Sequence, residues 1–349
     1  MKKLTAILLT LAMSLSLAAC GSKAETPAQS TPAASSTPAA SAPVEETPAP
    51  EAEPTREAFS IAALKGPTAM GLVETMSRAD SGELPYTFTL AGSADEVAPL
   101  LIKGELDMAC VPANLGSTLY NKTNGGIVVL AVNALGVIYV VEKGDTVNTM
   151  ADLSGKTMVG AGKGQTPEFG LRYLLKENGV DPDTGITIDW KSEHSECVAA
   201  LASGAATIAL LPQPFVTVAQ GKIDGLRIAL DLTAEWDALD NGSGMVTGVI
   251  VARKEVVEQN PEAVAAFLAD YAQSVDWVNT NIAEAAALIG DYGIVDAAVA
   301  EKAIPYCNIV CITGEEMKET LSGYLDVLYE AAPSAIGEKV PGEDFYYGV

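Results

Sequence analysis

From residue 58 onwards, short apolar runs alternate with stretches whose apolar residues recur every three or four positions. Residues 59–63 form the first such run, and Leu72, Val73 and Met76 carry the helical spacing that follows it. The short runs predict buried strands, and the three- and four-residue spacing predicts helices. Strands that alternate with helices favour a mainly parallel sheet covered on both faces. We therefore expect an α/β protein.

The alternation occurs twice along the chain. A first series ends with predicted strands at 127–132 and 137–141, and a second begins with a strand at 158–160. Residues 58–349 are long enough for two domains of ordinary size. The last hundred residues or so read as largely helical, beginning at Pro261.

The N-terminus has the pattern of an export signal. Lys2 and Lys3 precede a mostly apolar stretch at 7–17 that is too short to span a membrane. The sequence Leu-Ala-Ala-Cys that ends at Cys20 resembles a bacterial lipobox. The resemblance implies that 1–19 is a signal peptide, that cleavage precedes Cys20, and that Cys20 carries lipid. A plain signal peptide with a chance cysteine is the alternative.

A low-complexity stretch follows the predicted lipidation site. Residues 20–57 are rich in Pro, Ala, Thr and Glu, a composition that cannot bury a core and that predicts a solvated tether. The protein would then be anchored by lipid to the cell membrane on its extracytoplasmic side.

The charge and the reactive residues exclude several classes of function. A formal net charge of −24 argues against nucleic acid and against an anionic membrane surface as partners. The cysteines after Cys20 are scattered, and with the single histidine they make no zinc set, so no metal is expected. We favour free thiols, although Cys307 and Cys311 are close enough in sequence to pair. The glycine-rich stretches miss the nucleotide-binding patterns, and no cofactor is expected.

Several segments in the body resemble one family of proteins. Residues 104–109 (GELDMA) resemble a segment of that family in which a helix ends and is followed by Asp and a buried strand. Residues 152–157 (DLSGKT) resemble the segment with which the family's second lobe begins. Residues 201–209, followed by Pro-Gln-Pro-Phe at 212–215, resemble a repeat of the first pattern, and Asn-Pro at 260 opens the expected C-terminal helix. In this order, the segments are similar to the solute-binding lipoproteins of ABC importers that serve nitrate, sulfonates, taurine and thiamine precursors.

The resemblance implies a fold and a function. It implies a periplasmic-binding-protein type II fold, in which two doubly wound α/β lobes are joined by two crossings like a Venus flytrap. Lobe one would comprise 58–138 plus 249–349, and lobe two would comprise 139–248. A small anion or heterocycle would bind between the lobes of a monomer and pass to an ABC permease with its ATPase. No enzymatic activity is expected.

Two residues depart from the family pattern. Thr207 stands where the family usually has Asp, and Gln213 stands where an acidic residue often precedes the proline. If that acid normally orients a cationic or donor-rich ligand, Gln213 argues against such a ligand.

Candidate ligand-binding residues lie where predicted strands end and helices begin, the usual ligand position in open parallel sheets. They are Lys65, Gly66, Thr68, Ala69, Ser93, Asn114, Asn133, Gln165, Thr166, Trp190, His194 and Gln213. Helix capping is the alternative role for Thr68, Ser93 and Thr166. Turn closure is the alternative for the two asparagines, and packing in the core is the alternative for Trp190.

Two other functions stay open at this point. One is a sensory or interaction lipoprotein that kept the fold and lost transport. The other is a pyrimidine-forming enzyme of similar fold, which uses a cysteine-rich segment that is absent from this sequence.

Overall fold

The computed structural model describes residues 55–349. The predicted signal peptide, the predicted lipidation site at Cys20 and most of the predicted tether lie outside the described residues. Within the described part of the chain, no helix is long and apolar enough to cross a bilayer.

Eleven strands lie within residues 55–349. They are β1 (Ser60–Leu64), β2 (Thr87–Ala91), β3 (Met108–Pro112), β4 (Ile127–Leu135), β5 (Ile138–Lys143), β6 (Thr157–Ala161), β7 (Thr187–Lys191), β8 (Ile208–Pro212), β9 (Leu226–Asp231), β10 (Val246–Arg253) and β11 (Ile309–Ile312).

Thirteen α-helices connect and cover these strands. They are α1 (Pro67–Met70), α2 (Val73–Asp80), α3 (Ala94–Lys103), α4 (Ala113–Lys122), α5 (Thr166–Glu177), α6 (His194–Ser203), α7 (Phe215–Lys222), α8 (Leu232–Asp237), α9 (Lys254–Gln259), α10 (Pro261–Thr280), α11 (Ile282–Asp291), α12 (Ala297–Ala303) and α13 (Gly314–Ala331).

The strands form two separate sheets, and this confirms the prediction of a two-lobe α/β fold. The first sheet has the order β11-β4-β10-β3-β1-β2, and the second has the order β7-β6-β8-β5-β9. We call the part built on the first sheet lobe one and the part built on the second sheet lobe two. The lobe boundaries given above remain a prediction.

The prediction of mainly parallel sheets is wrong. β1 pairs in parallel with β2 and β3, and β6 pairs in parallel with β7 and β8. All pairs made by β10, β11 and β5 are antiparallel. The physical reason is that β5 and β10 enter their sheets from a chain crossing at the cleft edge, where β1, β3 and β8 end, so they run away from that edge.

Strand β11 was not predicted, because the C-terminal part of the chain reads as helical. Ile309–Ile312 has only four residues and pairs with β4 at the edge of the first sheet. Its sequence, Ile-Val-Cys-Ile between Asn308 and Thr313, is a short apolar run of the kind that predicts a strand elsewhere, so the signal was present and was overlooked.

The chain crosses between the lobes at two places. β4 of the first sheet ends at Leu135, and β5 of the second sheet begins at Ile138. The return follows α8 and ends where β10 begins at Val246. One cluster of buried apolar residues continues from the first sheet into the second through these crossings. The two sheets therefore share a core at the point where the chain passes between them.

An ion pair fixes the first described residues to lobe one. Arg56 donates to Asp270 of α10 from Nε and Nη2, with both distances 2.9 Å, and the Tyr86 hydroxyl donates to the same carboxylate at 2.8 Å. Burial opposes ionisation of Asp270, but these hydrogen bonds and the two positive charges of Arg56 and Arg78 leave its pKa below the ordinary value. The segment that precedes β1 is thus held against α10.

Candidate functional site

A cavity of about 120 Å³ lies between the two sheets, and we call it the cleft cavity. Lobe one contributes the end of β1 and the turn into α1, the end of β3 and residues of β4 and β10. Lobe two contributes the start of β5, the first turn of α5, the first residue of α6 and the end of β8 with the start of α7. Both lobes therefore supply strand ends and helix starts to one cavity, which is partly open to solvent.

The lobes contact each other on either side of this cavity. Helix α5 packs against α13, and α7 packs against α12. Asn114 of α4 donates from Nδ2 to the Gly164 carbonyl at 3.4 Å and accepts from the Thr166 hydroxyl at 3.2 Å. These hydrogen bonds join lobe one to lobe two at the rim of the cleft cavity.

Seven of the twelve predicted ligand-binding residues line the cleft cavity. They are Lys65, Gly66, Thr68, Gln165, Thr166, His194 and Gln213. The other five, Ala69, Ser93, Asn114, Asn133 and Trp190, do not line it.

The turn between β1 and α1 places three of these residues. Gly66 precedes α1 with φ of 151°, a backbone conformation that favours glycine. Thr68 is not the N-cap that the sequence suggested, because the helix already begins at Pro67. Its hydroxyl donates to the Leu64 carbonyl at 3.0 Å. Lys65 is exposed, and it is the one charged side chain in the lining.

His194 stands in the cleft cavity as a neutral imidazole. Burial lowers its pKa to about 4, and its Nδ1 is buried without a hydrogen-bond partner in the described part of the chain. The ring lies against Phe215, with ring centroids 5.2 Å apart. A neutral imidazole can offer either an acceptor or a donor to a ligand.

Gln213 fixes the end of β8 and the start of α7. Its Oε1 accepts from the Thr217 hydroxyl at 2.9 Å and from the Thr217 amide at 3.3 Å. The side chain is 3 % exposed and the bond to Pro214 is cis. The carbonyl end is thus engaged by the protein, which leaves the amide nitrogen as the group available to a ligand.

The five residues away from the cavity have other environments. Ala69 belongs to α1 and faces the core on which that helix packs. Ser93 forms the capping box of α3 with Glu96. Trp190 packs over Gly160, where an added Cβ would lie 3.1 Å from the indole. Asn114 forms the contact between the lobes described above. Asn133 is wholly buried in β4 directly behind the lining.

Beyond the seven predicted residues, the lining is mostly apolar. The lining includes Leu64, Pro67, Pro112, Ala134, Val137, Ile138, Pro167 and Pro212. Two pairs of prolines occupy equivalent places in the two lobes, since Pro67 and Pro167 open α1 and α5, while Pro112 and Pro212 end β3 and β8. This repeated spacing was present in the sequence and could have located the walls of the cavity.

A family match accompanies this geometry. Residues 71–303 match the family described as ABC transporter, phosphonate, periplasmic substrate-binding protein. The chain belongs to that family. Members are periplasmic solute-binding proteins of ABC importers, and both the family and the structural neighbours are binding proteins rather than enzymes.

Solved structures share the two-lobe fold. An ABC transporter protein of Parabacteroides distasonis aligns with a TM-score of 0.68 and 22% identity, covering 83% of this chain and 98% of its own. The aliphatic sulphonate binding protein of Escherichia coli aligns with a TM-score of 0.65 and 18% identity, covering 82% and 93%. The nitrate-binding protein of Synechocystis PCC 6803 aligns with a TM-score of 0.52 and 16% identity, covering 68% and 66%.

The sequence is also similar to that of a curated protein. A binding protein of Brucella abortus is 26% identical over 199 residues, which is 57% of this chain. The chain matches 59% of the length of that relative.

Proposed function

We propose that this protein captures a small molecule in the cleft cavity and delivers it to the permease of an ABC importer. The observation that carries the proposal is that both lobes line one cavity. A ligand that contacts both lobes favours the closed form and can report its own presence to a membrane partner. We further propose that Cys20 carries lipid and anchors the protein outside the cytoplasmic membrane, as the lipobox-like sequence suggests.

The cavity supports a ligand of modest size. A volume of about 120 Å³ has room for roughly eight to twelve groups the size of a water molecule. Nitrate, a short sulfonate such as taurine, and a single heterocyclic ring all fall within this limit.

The side-chain hydroxyl groups favour the heterocycle over the anion. Thr68 and Thr166 donate their hydroxyl protons to Leu64 and Asn114, and Thr247 donates to the Leu135 carbonyl at 2.5 Å. These hydroxyls therefore offer oxygen acceptors rather than donors to a ligand. The prolines in the lining have no N–H, and no arginine lines the cavity. The single positive charge of one exposed lysine does not neutralise the two negative charges of a phosphonate. We therefore propose a neutral ring with N–H groups, of the kind found in thiamine precursors.

A thermal-shift screen of the purified body, residues 55–349, tests this proposal. The compounds are nitrate, methanesulfonate, taurine, methylphosphonate, cytosine and uracil. A ligand at a hundred times its dissociation constant should stabilise the native protein by about 2.7 kcal/mol. We expect a concentration-dependent rise in Tm with the rings. A rise with the anions alone would reverse the ligand class, and no rise at all would count against solute capture.

The variant Thr68→Val connects any response to the cleft cavity. It keeps the shape of the side chain and removes the hydroxyl oxygen that faces the cavity, so binding should weaken. Ser93→Ala is the matched control, because Ser93 does not line the cavity. Equal binding by both variants would place the ligand elsewhere.

A further inference from the structure

Asn133 is a buried polar side chain for which the described protein provides no partner. The residue is 0 % exposed, and neither Oδ1 nor Nδ2 has a hydrogen-bond partner within residues 55–349. Leaving a buried polar group unpaired is unfavourable, because the group gives up its hydrogen bonds to water and gains none in return. Asn114 is nearly as buried, yet it donates to two carbonyl groups and accepts from a hydroxyl. Burial alone therefore does not explain the isolation of Asn133.

An irregularity in β4 sets the position of this side chain. Gly248 of β10 pairs with Ala134, and the next residue, Val249, pairs with Val132. Asn133 is therefore the extra residue of a β-bulge. Bulges are frequent next to functional sites, where they redirect a side chain.

The amide lies directly behind the lining of the cleft cavity. A Cβ added at Gly248 would meet Asn133 Oδ1 at 2.5 Å, Thr68 Cγ2 at 2.7 Å and Ala134 Cβ at 3.3 Å. Thr68, Ala134 and Thr247 all line the cavity. The absence of a side chain at Gly248 thus leaves a space that both the amide and Thr68 border.

The remaining polar neighbour is a poor partner. The Cys110 thiol lies close enough to interact with the Asn133 amide, which slightly offsets the effect of burial, and burial raises the pKa of this thiol to about 12. A thiol is a weak donor and a weak acceptor, so it does not satisfy a carboxamide.

We propose that Asn133 is the specificity-determining residue of the cleft, kept unpaired in the free protein and satisfied by the ligand. This inference rests on the proposed function. A carboxamide presents a donor beside an acceptor, and its complement is a ligand edge with an acceptor beside a donor. Cyclic amides and ring amidines have such an edge. Nitrate and sulfonates have acceptors only, and they would leave Oδ1 without a partner.

Access requires Thr68 to move away from the amide. Thr68 belongs to the turn that follows Gly66, and a Cβ at Gly66 would meet nothing within 4 Å, so there is open space on that side of the turn. A shift of this turn moves Thr68 away from the amide and brings the ligand edge into contact with Asn133, directly or across one water.

The test compares Asn133→Leu with Asn114→Leu and with the unmodified protein. Leucine has nearly the shape of asparagine and needs no partner, so Asn133→Leu should raise the Tm of the ligand-free protein. Asn114→Leu should lower it, because carbonyl groups lose their donor. Asn133→Val repeats the test with a smaller side chain that suits a strand. A fall in Tm for both Asn133 variants comparable to that of Asn114→Leu would overturn the inference.

Binding is then measured with cytosine, uracil and 2-pyrrolidinone as ring amides and with nitrate and methanesulfonate as acceptor-only probes. We expect the ring amides to bind the unmodified protein and to bind Asn133→Leu about tenfold more weakly or worse. Undiminished binding by Asn133→Leu overturns the role of Asn133 and leaves solute capture intact. If the unmodified protein binds none of the five probes, the proposed function fails and the inference fails with it.

Discussion

His194 is the only histidine in the chain, and this makes its titration separable from that of every other group. Burial lowers its pKa to about 4, whereas a histidine in an unfolded chain titrates near 6.5. Between these values the unfolded chain binds a proton that the folded protein excludes. Stability should therefore fall as the pH drops from 7 to 5.

We expect the variant His194→Gln to lose less stability than the unmodified protein over this range, because glutamine does not titrate. The measurement is the Tm of both ligand-free proteins at pH 7 and at pH 5. Carboxylate titrations are common to both proteins and cancel in the comparison. Equal falls in Tm would mean that the pKa of His194 is the same in the folded and the unfolded protein.

The sequence identified some of the cavity residues and gave no indication of the environment of Asn133. Lys65, Gln165 and His194 follow predicted strand ends and line the cavity, because strand ends can be recognised from apolar runs and polar punctuation. Ser93 has the same sequence context but caps α3 instead. The isolation of Asn133 depends on a bulge and on a glycine more than a hundred residues away, and a pattern within one segment cannot reveal that contact.

At the scale of helices and strands, the first crossing between the lobes is closely packed. Gly136 lies between β4 and β5, and a Cβ added there would lie 2.0 Å from the Thr233 hydroxyl of α8. Asn308 holds the same residue from lobe one, since its Nδ2 donates to the Gly136 carbonyl at 2.5 Å. A glycine is required here by this close approach.

We expect Gly136→Ala to reduce the free energy of unfolding by about 1–3 kcal/mol, as is usual when an atom is forced into filled space. Urea unfolding measures the effect. The double variant Gly136→Ala with Thr233→Ala should recover part of the loss, because the hydroxyl that clashes is removed. A single variant as stable as the unmodified protein would show that the crossing accommodates a side chain.

Apolar runs in the sequence can predict where strands lie but not the direction in which they run. Apolar runs predicted the strands at 59–63, 127–132, 137–141 and 158–160, which correspond to β1, β4, β5 and β6. They could not predict direction, because β5 and β10 are antiparallel as a result of the crossings rather than of their own composition. The short edge strand β11 also has an apolar run, but it lies among predicted helices and was overlooked.

For the molecule as a whole, the contacts between the lobes should decide how long a ligand stays bound. Asn114→Ala removes the hydrogen bonds from α4 to Gly164 and Thr166, so the closed form should be less favoured. We expect faster dissociation of the compound that the screen identifies, measured by stopped-flow fluorescence.

Asn121→Ala is the matched control for this experiment. Asn121 also lies on α4, but its Nδ2 donates to the carbonyls of Ile336 and Lys339, both in the C-terminal segment that packs on lobe one. Dissociation should be unchanged in this variant. Equal acceleration in both would indicate that α4 acts through its general stability and that the bridge between the lobes is not the cause.

The ion pair between Arg56 and Asp270 has a mechanical consequence. Its two parallel hydrogen bonds tie the first described residues to α10, which packs on the first sheet. A pull on the chain before Arg56 is therefore transmitted into lobe one and bypasses both crossings. Under the anchoring at Cys20 proposed above, such a pull would act on lobe one alone, and lobe two would remain free to move relative to it.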